Sequence, residues 1–107
     1  MFLLNKICTP LLTYCIGISF LTNHNYRITK AAFNMLTKNL ALDLAGSGVN
    51  AVCVHPGWLR TRMGTERAMW SVEEGVSGIL DNYIVGFDER THNGEFFHAV
   101  KAEKLPW

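Results

Sequence analysis

The pattern of apolar and polar positions predicts an alternation of strands and helices. Leu11–Ser19 is a short apolar run, which is typical of a strand buried on both faces of a sheet. From Tyr26 to Ala45 apolar residues recur every four positions and predict an amphipathic helix. The residues of this stripe are Ile28, Ala32, Leu36, Leu40 and Leu44. Val49–His55 is apolar and rich in valine, and it predicts a second buried strand.

Glycine and proline mark where these elements end. Gly46-Ser47-Gly48 follows the first helix, and its glycines suit a left-handed helix cap. Pro56-Gly57 stops the second strand, and Trp58–Trp70 has no clear period, so we predict a loop or lid there. A strand, a helix and a strand in this order predict a right-handed crossover between parallel strands.

A second helix and a short strand complete the predicted order. Ser71-Val72-Glu73-Glu74 has the pattern of a capping box, in which Ser71 caps the helix and Glu74 reaches back. The apolar positions of this helix are Val72, Val76, Ile79, Leu80 and Tyr83. Asn93-Gly94 is a turn signal before a short strand at Glu95–Ala99. The order strand, helix, strand, helix, short strand predicts an α/β fold in one domain.

Composition narrows the class of protein without naming a function. Of the 107 residues 49% are hydrophobic and 18% are charged, which is typical of a globular domain. The net charge is +1 and no basic stripe is present, so no nucleic-acid partner is predicted. Neither the three cysteines (Cys8, Cys15 and Cys53) nor the four histidines have metal-ligand spacing, so no metal site is predicted. Free thiols of this kind favour a cytoplasmic location.

The apolar N-terminus leaves an alternative open. A secretory signal would use Lys6 as its charged region and Leu11–Leu21 as its apolar core. Pro10 interrupts the run and no small-residue cleavage site follows it. A membrane span needs ~20 apolar residues, and this run is shorter. We therefore favour a buried strand, with a secretory or membrane segment as the alternative.

Tyr26 and Lys30 are candidate catalytic residues. They are four positions apart at the start of a predicted helix, which places both side chains on one face. A free tyrosine has a pKa near ~10, and both an adjacent ammonium and the helix dipole favour the phenolate. Lowering this pKa by ~3 units requires the phenolate to be stabilised over the phenol by ~4 kcal/mol. A positively charged ring of a bound ligand would contribute to this stabilisation. The alternative is an exposed lysine above a packed tyrosine, a pair that arises by chance in many helices.

Several runs of sequence, in the same order, resemble the short-chain dehydrogenase/reductase family. Tyr26–Ala32 resembles its Y-x-x-S-K-A-A active-site motif, and His55-Pro56-Gly57 resembles the start of its P-G-x-V-x-T segment. The other similar runs are Asn34–Thr37, Leu40–Leu44, Val49–Val52, Gly94–Phe97 and Leu105–Trp107, the last two resembling a carbonyl-reductase-like subgroup. The resemblance covers roughly residues 25–107.

This resemblance implies a fold and a chemistry. The fold would be the C-terminal portion of a Rossmann-like, doubly wound parallel sheet. The activity would be NAD(P)-dependent interconversion of a small carbonyl compound and an alcohol, with Tyr26 as acid/base. Tyr26 and Lys30 would both contact the cofactor, and Lys30 would bind the nicotinamide ribose and lower the pKa of Tyr26. Pro56, Gly57, the Leu59 backbone and the Thr61 hydroxyl would hold the nicotinamide carboxamide. The helix at 26–45 would support a homo-oligomer.

The chain departs from the family pattern in its first part. The G-x-x-x-G-x-G phosphate loop and the N-N-A-G segment are absent, and Gly46-Ser47-Gly48 follows a helix rather than a strand. Thr13 lies where the family has its catalytic serine and could offer a hydroxyl, but the sequence around it does not match the family well. Ser19 is closer to Tyr26 than the pattern allows, so neither residue is assigned to that role. We therefore divide the chain into a divergent segment, 1–24, and a family-like part, 25–107. The alternative function is an inactive fragment, or a binding or dimerisation module, for which NADP or NAD binding is in question.

Overall fold

The computed structural model describes residues 6–10 and 24–107. Their sheet contains β1 (Lys6–Pro10), β2 (Asn50–His55) and β3 (Phe96–His98), in the order β1-β2-β3. Both pairings are parallel, with Cys8 opposite Val52 in the first of them. The predicted α/β class with a parallel sheet is confirmed.

The structure has a strand at Lys6–Pro10 that was not predicted. The predicted strand at Leu11–Ser19 lies outside the described residues. Pro10 is the last residue of β1. Within residues 6–10 and 24–107, none of the helices is both long and apolar enough to cross a membrane.

Helix α1 spans His24–Asp43, two residues earlier at each end than predicted. Its buried positions are Asn34, Thr37 and Ala41. The predicted core-facing stripe is wrong in part, because Ile28 is 67% exposed and Leu36 is 46% exposed. Small and polar residues face the sheet instead, and they let the helix come close to it.

Helix α1 runs antiparallel to β2. Cys53, in the middle of the strand, donates a hydrogen bond from Sγ to Asn34 Oδ1 over 3.2 Å. Farther along the helix, Ala41 packs so close to Gly94 that a Cβ on the glycine would lie 3.1 Å away. Gly94 in turn donates its N–H to the Ala51 carbonyl, at the start of β2. The N-terminal end of α1 therefore lies toward the carboxyl end of β2.

Helix α2 spans Val72–Ile79, and the predicted capping box is confirmed at its start. The Glu74 N–H donates to Ser71 Oγ over 3.0 Å, and the Ser71 N–H donates to Glu74 Oε2 over 2.7 Å. The helix continues as a wider π-helical segment at Leu80–Val85. A short helix α3, Glu89–His92, was not predicted.

The core beside β2 is built around Tyr83, which packs with Val52, Val54, Phe97 and Ala99. Its hydroxyl donates to the His98 carbonyl over 3.0 Å and ties the π-helical segment to β3. Burial raises the pKa of Tyr83 to about 12, so the phenol stays protonated and keeps donating.

Candidate active site

Tyr26 and Lys30 lie side by side near the N-terminal end of α1. Lys30 Nζ is 5.4 Å from the centroid of the Tyr26 ring, and both side chains are half-buried. Lys30 Nζ also lies 5.8 Å from the centroid of the Phe33 ring. The ammonium thus contacts two aromatic faces. Phe33 was not predicted at the site, although its spacing of three from Lys30 is a signal for such a contact.

Burial sets the direction of the Tyr26 pKa in the chain without a bound cofactor. Burial raises the pKa of the Tyr26 phenol above its ordinary value. In the absence of further positive charge, Lys30 and the helix dipole therefore leave the phenol protonated at neutral pH. A protonated phenol is the form that donates a proton to a carbonyl oxygen.

The segment after β2 turns sharply and is tightly packed. Pro56 and Gly57 are buried, and Gly57 has a φ of +96°, in the left-handed region that favours glycine. A Cβ at Gly57 would lie 2.8 Å from Trp70 Cδ1. The glycine of the Pro-Gly pair is therefore required both by the turn and by the indole beside it.

The loop from Trp58 to Trp70 closes on itself. The Arg60 N–H donates to the Trp70 carbonyl over 2.9 Å, and the Trp70 N–H donates to the Trp58 carbonyl over 3.1 Å. Because successive residues of an extended chain face opposite sides, the Leu59 amide between them points away from Trp70. This orientation suits the role that the resemblance implies for the Leu59 backbone.

The Thr61 hydroxyl is engaged within the same loop. It accepts a hydrogen bond from the Gly64 N–H over 3.0 Å and lies 3.5 Å from the Leu59 carbonyl oxygen, to which it donates. A Cβ at Gly64 would collide with that same carbonyl oxygen. Thr61 thus holds a tight turn next to Leu59, in addition to the carboxamide contact that the resemblance implies.

The start of α1, which carries Tyr26, and the turn after β2, which contains Gly57, lie at the same edge of the sheet. Tyr26 precedes Asn34 by eight helical residues, a rise of roughly 12 Å. Gly57 follows Cys53 by four residues, which span roughly 13 Å of extended chain. Since Asn34 bonds to Cys53, Tyr26 and Gly57 both lie beyond the carboxyl edge of the sheet. Ligands of open α/β sheets bind at this edge.

An open cleft of about 200 Å³ lies at the carboxyl ends of β2 and β3. Its lining residues are His55, Trp58, Met69, Trp70, His98, Lys101, Glu103 and Leu105. Met69 and Trp70, from the loop after Thr61, line this cleft. Met63, from the same loop, is 76% exposed. Among the described residues, no group of three or more histidine, cysteine and acidic side chains is arranged to hold a metal ion.

His98 makes the stability of this edge sensitive to pH. The centroid of its ring is 5.3 Å from that of His55. Burial and the nearby Lys101 ammonium lower the pKa of His98, and their effect exceeds that of the Glu103 carboxylate, which raises it. As pH falls below ~6.5, the unfolded chain therefore binds this proton first, and the free energy of unfolding should fall until the lowered pKa is passed. Urea unfolding between about pH 7 and pH 5 should show a shallower pH dependence for His98→Gln than for the wild type. Equal pH dependence in the two proteins would contradict this assignment.

Comparison with known proteins identifies the family. A family model described as enoyl-(acyl carrier protein) reductase matches residues 11–78, which is more than half of the chain. The chain belongs to the short-chain dehydrogenase/reductase family. The match begins at residue 11, ahead of the motifs that carry the resemblance.

Curated relatives of this short-chain dehydrogenase/reductase chain are longer than the chain itself. It is 38% identical over 82 residues to the C-signal of Myxococcus xanthus, covering 77% of this chain and 48% of that protein. It is 33% identical over 80 residues to 1-hydroxy-2-glutathionyl-2-methyl-3-butene dehydrogenase of Rhodococcus sp. strain AD45, covering 71% and 34% respectively. The chain thus spans about half of the first relative and about a third of the second.

Solved structures of the family agree with the fold. Carbonyl reductase Sniffer of D. melanogaster matches with a TM-score of 0.82 and 28% identity, over 95% of this chain and 41% of that one. The NADPH-bound carbonyl reductase from chicken fatty liver matches with a TM-score of 0.83 and 26% identity, over 95% and 42% respectively. The fold is that of the corresponding part of a Rossmann-like short-chain dehydrogenase/reductase.

Proposed function

We propose that the chain carries the proton-transfer half of an NAD(P)-dependent oxidoreductase that interconverts a small carbonyl compound and an alcohol. The observation that carries the proposal is the Lys30 ammonium, 5.4 Å from the Tyr26 ring centroid, at the carboxyl edge of a parallel sheet. Two of its structural relatives are carbonyl reductases, and one of them is described with NADPH bound. NADP is therefore the favoured cofactor, with NAD as the alternative.

Each residue of the site has a distinct role in this proposal. The nicotinamide, when bound, supplies the hydride chemistry. Tyr26 gives its phenolic proton to the carbonyl oxygen in reduction and accepts a proton in the reverse direction. Lys30 binds the ribose hydroxyls and its charge favours the phenolate that remains. The Pro56-Gly57 turn, the Leu59 amide and Thr61 hold the carboxamide.

The residues fit one end of the dinucleotide and not the other. Gly46 and Gly48 have positive φ angles of 85° and 72°, but their turn joins the end of α1 to the start of β2. It lies at the amino edge of β2, opposite to Tyr26 and Gly57. Within residues 6–10 and 24–107, these glycines therefore do not form the phosphate loop that a bound dinucleotide needs.

A second function is favoured by the exposed side of α1. Ile28, Met35 and Leu42 are 67%, 61% and 66% exposed and recur at intervals of seven residues. Together they form one exposed apolar stripe along the helix. A chain that binds no dinucleotide would use this stripe as a dimerisation surface, alone or with a longer relative.

One titration separates the two functions. We expect NADPH fluorescence to change on addition of the purified chain, and Lys30→Met to weaken binding by about tenfold through loss of a charged hydrogen bond. Lys104→Met is the matched control, because it removes the same charge from the C-terminal segment. No binding of NADPH or NADH by a chain that sediments as a dimer would reject the enzyme and support the dimerisation module.

A further inference from the structure

Asn34 lies on the same face of α1 as the proposed catalytic pair. Tyr26, Lys30 and Asn34 follow one another at intervals of four residues, which places them one above another along the helix. The first two are half-buried near the sheet edge, and Asn34 is buried with 9% of its surface exposed. The face that carries the chemistry thus continues into the interior.

The bond between Asn34 and Cys53 links this face to β2. The Cys53 thiol is fully buried and donates to Asn34 Oδ1 over 3.2 Å. A buried amide oxygen that loses its hydrogen-bond donor is destabilising, because water cannot replace the donor there. A shift of α1 by one residue along β2 moves the side chain by about 1.5 Å and would break the bond. The pair therefore favours one height of the helix relative to the strand.

The position of α1 along β2 matters because the helix and the strand carry different parts of the site. Helix α1 carries Tyr26 and Lys30, and β2 leads into Pro56-Gly57. A further contact between α1 and the rest of the chain lies toward the C-terminal end of the helix. Lys38 Nζ donates to the Gly94 carbonyl over 2.8 Å, one turn beyond Asn34.

We propose that Asn34 is a positioning residue, which through its hydrogen bond to Cys53 sets the height of Tyr26 and Lys30 relative to the Pro56-Gly57 turn. A catalytic role for this positioning rests on the proposed function. The position of Tyr26 and Lys30 relative to the turn can be measured without an activity assay. Asn34 acts through Tyr26 and touches no substrate.

The competing explanation is that Asn34 only stabilises the fold. Thr37 provides a matched control, because it is fully buried on the same helix and its hydroxyl donates to the Phe33 carbonyl of α1 over 3.0 Å. Thr37→Val removes a buried hydroxyl bonded within the helix. Asn34→Leu and Cys53→Ala each break the link between the helix and the strand, and Cys53→Ser keeps a donor.

The experiment is a ¹⁹F NMR titration of the full chain labelled with 3-fluorotyrosine, whose phenol ionises at lower pH than tyrosine. Tyr26→Phe assigns the signal. We expect Asn34→Leu and Cys53→Ala to move the Tyr26 titration midpoint by about half a pH unit or more, and Cys53→Ser to stay near the wild type. Thr37→Val should lower the urea midpoint of unfolding without moving the titration.

Each result decides the matter. Unmoved midpoints in folded Asn34→Leu and Cys53→Ala, or an equal shift in Thr37→Val, would overturn the positioning role. If Asn34→Leu fails to fold, the two Cys53 variants decide. Where the wild type reduces a carbonyl substrate, kcat should fall in Cys53→Ala with little change in KM and return in Cys53→Ser. An inactive wild type whose titration still follows the pattern would reject the proposed function and leave the positioning of Tyr26 intact.

Discussion

Replacing Tyr26 with phenylalanine is expected to lower the rate of NADPH-dependent carbonyl reduction by ~10²–10⁴-fold, the usual contribution of a general acid. Phenylalanine keeps the ring beside Lys30, so the substitution removes the phenolic proton donor and retains the ring contact. The measurement is oxidation of NADPH, followed by its absorbance, with a small carbonyl substrate in excess. Cofactor affinity should change little, because Lys30 and the Pro56–Thr61 loop are intact.

Tyr83→Phe is the matched control for this result. It also removes one phenolic hydroxyl, but Tyr83 lies in the core and donates to the His98 carbonyl. At a temperature where both variants are folded, Tyr83→Phe should keep the wild-type rate. A Tyr26→Phe protein as active as Tyr83→Phe would remove Tyr26 from the mechanism.

Tyr83→Ala should have the largest effect on stability, with a loss of ~3–5 kcal/mol in the free energy of unfolding, as for other aromatic-to-alanine changes in a core. The side chain is almost fully buried, and its ring centroid lies 5.4 Å from that of Phe97 and 5.5 Å from that of His92. The variant loses this packing and the hydrogen bond to the His98 carbonyl together. Such a loss is a large fraction of the ~5–15 kcal/mol by which domains are stable. Urea unfolding followed by circular dichroism measures it.

Tyr83→Phe separates the two contributions. It keeps the ring and leaves the His98 carbonyl without this donor, so we expect a loss of ~1–3 kcal/mol. Equal losses for Tyr83→Phe and Tyr83→Ala would show that the ring contributes little to packing, contrary to its position in the core.

The sequence predicted the elements whose signals are local. The valine-rich run gave β2 within one residue, and the spacing of Ser71 and Glu74 gave the start of α2. The spacing of Tyr26 and Lys30 predicted their contact, because residues four apart on a helix are neighbours whatever the helix packs against.

What the sequence did not predict depends on contacts between distant segments. The fourfold stripe containing Ile28 and Leu36 has the strongest period in α1, yet the buried positions are Asn34, Thr37 and Ala41. Periodicity locates an apolar face but does not say whether the sheet or another surface covers it. Close approach to Gly94 requires a small residue at Ala41, and the hydrogen bond to Cys53 buries Asn34.

The direction of the Tyr26 pKa has a similar cause. Spacing alone weighs the ammonium of Lys30 and the helix dipole, both of which favour the phenolate. Burial acts in the opposite direction and raises the pKa of Tyr26, and its extent follows from how the segments pack. The short helix α3 was missed because Glu89–His92 is too brief to show a period, although Asp88 is a suitable cap.

The most direct test is the titration of Tyr26 in the fluorotyrosine-labelled chain with and without saturating NADP⁺. A positive ring beside the phenol should oppose the effect of burial, so the pKa of Tyr26 should fall by about one unit or more when NADP⁺ is bound. Lys30→Met should reduce this fall. A Tyr26 pKa that is unchanged or higher with NADP⁺ bound would contradict the assignment of Tyr26 as the acid/base.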